Sequence, residues 1–214
     1  MSNDVWLKPQ FGNDYIERNP ITDESIQARC IYFSNVLNVI KNEGRGEFPA
    51  EVLEVGAGQG QNMMALERIV KAADLRTKLE ATEPFEGART LLRKNLSITN
   101  IYDFPDMLPV LPLPSYSKEL VFTFGVLIHV QSADLIPAMR ELYRVSSRYL
   151  LSLEYFSPIE RKVAYHGEDD ALFLRDYGSI WMDNFKLKLV CFGFCWKRVT
   201  KMDNITWFLF EKVH

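Results

Sequence analysis

The chain contains 214 residues, of which 47% are hydrophobic and 25% are charged, and its 28 acidic residues slightly outnumber its 25 lysines and arginines. This composition is typical of a folded globular protein and argues against a disordered chain. A chain without a basic excess is a poor candidate for binding nucleic acid. The N-terminus lacks an apolar stretch of signal-peptide length, and the apolar run at 120–130 is too short to cross a bilayer. We therefore expect a cytoplasmic protein with no membrane partner.

The three cysteines do not indicate a metal site. Cys191 and Cys195 lie close together in the sequence, but no nearby histidine or third cysteine completes a set of zinc ligands. Reduced cysteines in a cytoplasmic protein are the favoured interpretation, and no metal is predicted.

The first elements predicted along the chain are a helix, a strand and a second helix. The first twenty residues are aromatic and polar without a clear period. Thr22 is a candidate N-cap, and apolar residues then recur at helical spacing up to Gly44. Residues 51–55 read as a strand that runs into glycines, and residues 61–73 read as an amphipathic helix.

Strands continue to alternate with helices, and the last two strands follow each other with only a polar turn between them. The remaining predicted strands are residues 79–83, 98–101, 120–124, 149–153, 187–196 and 205–210. Pro84 suits the first turn of a helix that follows the strand at 79–83, and another helix is predicted from Ser132 to Arg144. The prolines of 103–117 favour irregular structure. The aromatic residues of the last two strands, such as Phe192 and Phe194, are predicted to belong to the core.

This order predicts an α/β fold: a doubly wound, Rossmann-like, mostly parallel sheet of seven strands with a C-terminal antiparallel hairpin. We expect residues 1–214 to form a single domain, in which 1–45 supply an N-terminal lid and helix and 46–214 form the core. Ligands of such sheets bind at the carboxyl ends of the strands. The polar segment 154–176, the longest predicted stretch without a strand, is expected to cover the acceptor side.

A glycine-rich turn between the first predicted strand and the next helix is the strongest local signal. Residues 54–60 read EVGAGQG. A dinucleotide-binding loop reads GxGxxG, but here the last position is Gln61, and no Lys-Ser or Lys-Thr pair completes a P-loop. The remaining pattern, ExGxGxG, carries an acid and no cation for phosphates. A turn that binds no ligand is the alternative interpretation.

The ExGxGxG pattern resembles the loop of class I S-adenosylmethionine-dependent methyltransferases. The resemblance implies S-adenosylmethionine as cofactor and S-adenosylhomocysteine as its product. Glu54 would interact with the cationic methionine end, and Glu83 would bind both ribose hydroxyls, because a carboxylate offers two acceptor oxygens. The residues that we expect to bind the cofactor, including N-terminal residues folded over it, are Tyr15, Arg18, Asn19, Glu54, Gly56, Ala57, Gly58, Gly60, Asn62, Glu83, Pro84, Asp103, Phe124 and Gly125.

A narrower resemblance extends over about residues 6–212. Its segments are FGNDYIERN at 11–19, FTFGVLIHV at 122–130, SRYLLSLEY at 147–155, LFLRD at 172–176 and DNITWFLFE at 203–211. Together they are similar to the pseudaminic acid biosynthesis-associated methylases, bacterial proteins found with surface-sugar genes, although Gly58 stands where that family commonly has Asn. The resemblance implies O- or N-methylation of a small, sugar-related acceptor, a carbohydrate or nucleotide sugar.

Transfer of a methyl group to a hydroxyl or an ammonium requires alignment of the acceptor with the methyl group and a base that removes a proton from the acceptor. His129, after the fourth predicted strand, is the first candidate for the base, and a structural histidine bonded to the backbone is the alternative. His166 is a second candidate, with a solvated loop residue as its alternative. Glu154 and Tyr155 end the fifth strand and point to opposite sides, so that one of them is expected to face the acceptor.

Three residues of the polar segment are predicted to bind the acceptor. Arg175 offers a planar fork for a carboxylate, and Asp169 and Asp176 offer acceptors for hydroxyl groups. A mutual surface ion pair of Arg175 and Asp176 is the alternative.

Two other functions stay open at this point. One is a nucleic-acid or protein methyltransferase of the same fold, although the fourth strand ends in Thr123-Phe124-Gly125 and lacks the Asn/Asp-Pro-Pro-aromatic signature of amino-methylating DNA enzymes. The other is a protein that binds S-adenosylmethionine without catalysis.

Overall fold

The computed structural model describes residues 8–43, 47–102 and 107–213, except for the side chains of 168–170. Gly44, Asp103 and the side chain of Asp169 therefore lie outside the described residues. The helices are α1 (Pro9–Arg18), α2 (Asp23–Glu43), α3 (Gln61–Ala72), α4 (Glu86–Asn95), α5 (Ser132–Val145), α6 (Tyr177–Asn184) and α7 (Lys197–Thr200), with a 3-10 helix at Leu127–His129. The strands are β1 (Glu51–Val55), β2 (Lys78–Thr82), β3 (Asn100–Ile101), β4 (Lys118–Phe124), β5 (Ser146–Glu154), β6 (Arg161–Tyr165), β7 (Glu168–Leu174), β8 (Leu187–Cys195) and β9 (Ile205–Lys212).

The described strands form a seven-stranded sheet in the order β3-β2-β1-β4-β5-β9-β8 and a separate pair, β6-β7. Strands β1 to β5 pair in parallel, whereas β9 is antiparallel to both β5 and β8. The predicted Rossmann-like sheet with its C-terminal antiparallel hairpin is thus confirmed. The strand order reverses between β1 and β4, so a crevice is expected at the carboxyl ends of these two strands.

Helices cover both faces of this sheet. Successive residues of a strand point to opposite sides, so each central strand contributes apolar side chains to two cores. In β1, Val52 belongs to the core under α2 and α3, and Leu53 belongs to the core under α5 and α6. Helix α2 begins as predicted, since the Thr22 Oγ1 atom accepts a hydrogen bond from the Ser25 N–H group at 3.1 Å.

Helix α1 and the start of helix α4 differ from the sequence predictions. Residues 9–18, which show no clear period, form helix α1 with Pro9 at its start. Pro84 precedes helix α4 instead of lying in its first turn, because Phe85 is the N-cap.

The polar segment 154–176, predicted to contain no strand, includes the hairpin β6-β7. His166 and Gly167 form its turn with φ values of 51° and 88°. Two residues with positive φ match the right-handed twist of a hairpin, which explains why this short polar sequence pairs. Helix α6, which follows, was not predicted either.

The prediction that the aromatic residues of β8 lie in the core is wrong. Phe192 is 65% exposed and Phe194 is 59% exposed, and Trp196, just after the strand, is 51% exposed. The reason is tertiary: β8 is the edge strand of the sheet, and the core that it shares with helix α6 lies at its start, at Leu187 and Leu189.

Candidate active site

A cleft opens at the carboxyl ends of β1, β2 and β4 and contains about 1000 Å³ of empty space, counted out to its open mouth. The polar part of its lining lies at the strand ends and includes Gly56, Gly58, Thr82, Glu83, Gly125 and His129. Helix α1 covers one side with Gly12, Tyr15 and Ile16, and Met107, Leu108 and Leu111 form an apolar wall.

The glycine loop bends between β1 and α3 with three glycines at positive φ: Gly56 at 78°, Gly58 at 54° and Gly60 at 90°. These backbone angles favour glycine, because a side chain would be strained there. A Cβ atom at Gly60 would come within 2.8 Å of the Leu92 Cδ2 atom, so this glycine permits close packing of α4. At Gly58 the nearest atom would be the Tyr15 Cε1 atom at 3.9 Å, so Gly58 presents its open side to the cleft.

Glu83 follows β2 and lines the cleft with a carboxylate that the backbone holds in place. Its Oε2 atom accepts a hydrogen bond from Gly58 N–H at 2.8 Å, and its Oε1 atom accepts one from Phe85 N–H at 3.0 Å. Burial raises the pKa of this carboxyl, while the two N–H donors oppose the rise. An ionised carboxylate has about four lone-pair sites, so Glu83 has capacity for two further donors.

Glu54, in β1, is a carboxyl with an unused acceptor. It is 1% exposed, and the Asn62 Nδ2 atom donates a hydrogen bond to Oε1 at 2.6 Å. Its Oε2 atom is buried and has no hydrogen-bond partner among the described residues. Burial raises the pKa of Glu54 to about 8, against the opposing effects of Asn62 and of the nearby Arg29 charge. A buried polar atom without a partner is uncommon in folded proteins and requires an explanation.

Arg29 of α2 is a site residue that the sequence analysis missed. Its Nε atom donates a hydrogen bond to the Asn62 Oδ1 atom at 2.9 Å, so Arg29 and Glu54 share Asn62 as partner. The guanidinium carbon lies 5.6 Å from the centroid of the Phe124 ring. Burial lowers the pKa of Arg29. The sequence contains a signal that could have identified Arg29. It is a cation three residues after Ile26 and four before Phe33, and therefore lies on the apolar face of the predicted helix.

The glycine loop holds helix α1 over the cleft. The Gln59 Nε2 atom donates hydrogen bonds to the Ile16 and Asn19 carbonyl oxygens at 3.1 and 2.9 Å. Of the three N-terminal residues predicted at the cofactor, only Tyr15 lines the cleft. The Asn19 side chain bonds back to the Tyr15 carbonyl, and Arg18 is exposed with its guanidinium over Phe11.

His129 ends the 3-10 helix after β4 and lines the cleft. Its Nδ1 atom lies 2.5 Å from the Ala171 carbonyl oxygen, which can only accept a hydrogen bond. The proton is therefore assigned to Nδ1, and the lone pair lies on Nε2. Burial lowers the pKa of His129 to about 4, so the ring is neutral at pH 7.

Glu154 does not face the cleft, although it was a catalytic candidate. It is 2% exposed, and its carboxylate accepts hydrogen bonds from Thr123 Oγ1 at 2.8 Å and from the Leu127 and Ile128 N–H groups at 3.2 and 3.1 Å. Burial raises its pKa to about 7. Tyr155 points away from it and donates a hydrogen bond to the Asp203 Oδ2 atom at 3.1 Å. Glu154 thus caps the 3-10 helix that carries His129.

Two of the predicted acceptor-binding residues, Arg175 and Asp176, do not line the cleft. Arg175 is 1% exposed, which excludes a surface pair with Asp176. Its Nη1 atom donates to the Val130 carbonyl oxygen at 3.0 Å, and its Nε atom bonds to the Glu160 Oε2 atom at 2.7 Å. Asp176 caps α6 by accepting the Ser179 N–H group at 3.0 Å. His166 is exposed in the turn between β6 and β7.

The cleft therefore brings together half of the residues predicted at the cofactor: Tyr15, Gly56, Gly58, Glu83, Pro84, Phe124 and Gly125. Glu54, Ala57, Gly60 and Asn62 do not line it. No three or more His, Cys, Asp or Glu residues in the described part of the chain are grouped to hold a metal ion. Within the same part, no helix is both long and apolar enough to cross a membrane.

No protein-family model matches the sequence, and no match was found among curated proteins. The fold, however, is similar to that of several solved methyltransferases. The 1,6-didemethyltoxoflavin-N1-methyltransferase of Burkholderia thailandensis, solved with 1,6-didemethyltoxoflavin and S-adenosylhomocysteine, has a TM-score of 0.69 at 13% identity, covering 98% of this chain and 88% of that chain.

Two further structures give the same result. A SAM-dependent methyltransferase of Leishmania major has a TM-score of 0.66 at 16% identity, covering 86% of this chain and 73% of that chain. The magnesium protoporphyrin IX methyltransferase of Synechocystis, solved with bound SAM, has a TM-score of 0.64 at 13% identity, covering 98% of this chain and 94% of that chain. At these identities the likeness establishes the fold, which is that of the class I methyltransferases.

Proposed function

We propose that this chain is a methyltransferase that uses S-adenosylmethionine to methylate a small acceptor. One observation carries the proposal: the Glu83 carboxylate lies at the end of β2, is held by the Gly58 N–H group and keeps acceptor capacity on the cleft side. In the class I methyltransferase fold, an acid at this place suits the two vicinal ribose hydroxyls of the cofactor. The solved structures with bound SAM or S-adenosylhomocysteine support the same assignment.

The residues around the glycine loop fit the rest of this cofactor. Its methionine end carries an ammonium and a carboxylate, and the chain offers the orphaned Glu54 oxygen and the Arg29 cation on either side of Asn62. Glu54 would accept from the ammonium and Arg29 would donate to the carboxylate. Among the described residues that line the cleft, none is Lys or Arg, which argues against the pyrophosphate of a dinucleotide.

When bound, S-adenosylmethionine supplies an electrophilic methyl group on a sulfonium. The chain has to orient the acceptor, exclude water and take up the proton that the acceptor loses. Helix α1 covers the cleft with Tyr15, and Leu108 and Leu111 provide a dry wall. We assign the proton to His129 Nε2, whose lone pair is fixed by the Ala171 contact at Nδ1. Its pKa of about 4 keeps the nitrogen unprotonated at neutral pH but makes it a weaker base than an ordinary imidazole.

The finer identity of the acceptor stays a proposal. The sequence resemblance to the pseudaminic acid biosynthesis-associated methylases predicts a sugar-related acceptor, O- or N-methylation and a cytoplasmic enzyme. An acceptor panel should therefore include nucleotide sugars.

Calorimetry with S-adenosylmethionine, S-adenosylhomocysteine and NAD tests the cofactor. We expect both adenosyl compounds to bind and NAD not to bind. Transfer of a labelled methyl group to an acceptor panel then separates an enzyme from a protein that only binds the cofactor. Binding of NAD without binding of either adenosyl compound would contradict the assignment.

A further inference from the structure

A second concavity lies on the β8 side of the sheet, outside the cleft described above. We call it the aromatic groove and define it by Tyr155, Met182, Phe192, Phe194, Asp203 and Phe208. One wall is formed by β8 and β9, and the other is formed by α6. Nothing in the proposed cofactor site uses these residues.

The packing of α6 explains why the groove is open. A Cβ atom at Gly178 of α6 would lie 2.5 Å from the Phe208 ring of β9, and Tyr177 and Trp181 of α6 belong to the same core as Leu187 and Leu189 at the start of β8. The carboxyl end of β8 lies beyond this core, with Phe192 65% exposed and Phe194 59% exposed. Met182 on α6 is 48% exposed and faces the same space. Large aromatic side chains exposed together at a concave surface are typical of a binding site.

The groove opens at the same edge of the sheet as the cleft. Tyr155 follows the carboxyl end of β5, and Phe194 lies near the carboxyl end of β8, which runs parallel to β5 because both are antiparallel to β9. The Tyr155 hydroxyl donates to the Asp203 Oδ2 atom at 3.1 Å at the inner end of the groove. Tyr155 lies two residues after Leu153, which pairs with the cleft residue Phe124. In the sheet, β5 lies between β4, which ends at the cleft, and β9, which forms part of the groove, so Tyr155 lies between the two spaces.

The chemistry of the groove favours a flat ring over a phosphorylated sugar. The Phe192 and Phe208 rings are nearly parallel, with an interplanar angle of 17° and centroids 6.3 Å apart, so a planar ring system can stack on them. The charged residues of the described lining are Asp176, Asp203 and Lys197, and the Lys197 ammonium already bonds to Asp203 at 3.1 Å. One paired cation against two carboxylates suits a neutral or positively charged ligand and disfavours a diphosphate.

We propose that the aromatic groove is the outer half of the acceptor site and holds a planar aromatic ring system, neutral or cationic, whose reacting atom reaches the cleft past Tyr155. This inference rests on the proposed methyltransferase function. It names an aromatic acceptor where the sequence resemblance predicts a sugar.

The test uses proflavine, a planar cationic fluorophore, titrated into the full chain after saturation with S-adenosylhomocysteine. The double substitution Phe192→Ser, Phe194→Ser is expected to weaken proflavine binding about tenfold, because it removes one of the two parallel rings, Phe192, and the exposed aromatic surface of Phe194 beside it. Ile31→Ser is the matched control: Ile31 is a 58% exposed apolar residue of α2 that does not line the groove, and its loss should leave the affinity unchanged. S-adenosylhomocysteine should bind equally to all three proteins.

The outcomes separate this inference from the proposed function. If S-adenosylhomocysteine binds but proflavine affinity is the same in the parent and the double variant, the groove assignment is wrong and the methyltransferase proposal stands. If the parent does not bind S-adenosylhomocysteine, the proposed function itself fails. If light scattering shows a parent dimer that the double variant converts to a monomer, the groove is covered by a second copy, and the inference is overturned. Methyl transfer to an aromatic acceptor, with KM raised about tenfold by the double variant and cofactor affinity unchanged, would support it.

Discussion

The unusual protonation of Glu54 predicts that cofactor binding depends steeply on pH. Burial raises the pKa of this carboxyl to about 8, so it is about 90% protonated at pH 7 without ligand. The ammonium of S-adenosylhomocysteine requires the ionised form. The apparent dissociation constant is therefore the constant for the ionised protein multiplied by a factor of 1 + 10^(pKa − pH). This factor is about 100 at pH 6, about 11 at pH 7 and about 2 at pH 8.

Calorimetry with S-adenosylhomocysteine measures both consequences. The affinity should rise about 50-fold from pH 6 to pH 8. About 0.9 proton per site should be released on binding at pH 7, and this release is measured as a difference in binding heat between buffers of different ionisation enthalpy. The control is Glu54→Gln, which keeps the size of the side chain and an oxygen for Asn62. Its affinity should lose this pH dependence and should be about 10- to 150-fold weaker at pH 8, the equivalent of about 1.5–3 kcal/mol for a hydrogen bond to a charged group.

Equal affinity of the parent at pH 6 and pH 8, with no proton release, would refute the reasoning. Any pH dependence that survives in Glu54→Gln belongs to other groups, such as Glu154, whose pKa is about 7.

Four further predictions follow from the same geometry. Gly58→Leu should abolish binding of S-adenosylhomocysteine without unfolding by circular dichroism, because its Cβ would enter the cleft from a φ of 54°. Glu83→Ala should weaken that binding by about 1.5–3 kcal/mol in calorimetry, and unchanged affinity would remove it as the ribose acceptor. His129→Ala should slow single-turnover methyl transfer about 10²–10⁴-fold at unchanged cofactor affinity, whereas a purely structural histidine would lower the melting temperature and cofactor affinity together. The melting temperature of the ligand-free protein should fall as pH rises from about 6.5 to 8, because buried Glu54 and Glu154 keep protons that the unfolded chain has lost, whereas the lowered pKa of His129 acts in the opposite direction at lower pH; a flat or rising profile between about pH 6.5 and 8 would contradict the raised pKa values of the two carboxyls.

The position of His129 depends on three contacts from distant parts of the chain. Glu154 caps the start of the 3-10 helix, Arg175 binds the Val130 carbonyl at its end, and the Ala171 carbonyl of β7 fixes the imidazole proton. The hairpin β6-β7 therefore helps to orient the proposed base. This arrangement gives the predicted catalytic candidate Glu154 and the predicted acceptor ligand Arg175 a positioning role.

The sequence by itself determined the features that depend on neighbouring residues. The period of apolar residues predicts the seven strands of the main sheet and four of the helices, Thr22 predicts the start of α2, and the spacing of Gly56, Gly58 and Gly60 predicts the turn between β1 and α3. These features are local because backbone angles and caps are set within a few residues. Glu83 also follows from local order, since it directly succeeds a strand that ends at the ligand edge of the sheet.

Only the tertiary structure decided which polar and aromatic side chains are buried. Arg175 bonds to Val130, 45 positions earlier in the chain, and no local pattern distinguishes that buried arginine from a solvated one. Phe192 and Phe194 have the composition of a core strand, yet they are exposed because β8 is the edge of the sheet and shares a core with α6 at Leu187 and Leu189. Whether a residue is buried depends on which segment packs against it. That segment comes from a distant part of the chain, so a local sequence pattern does not identify it.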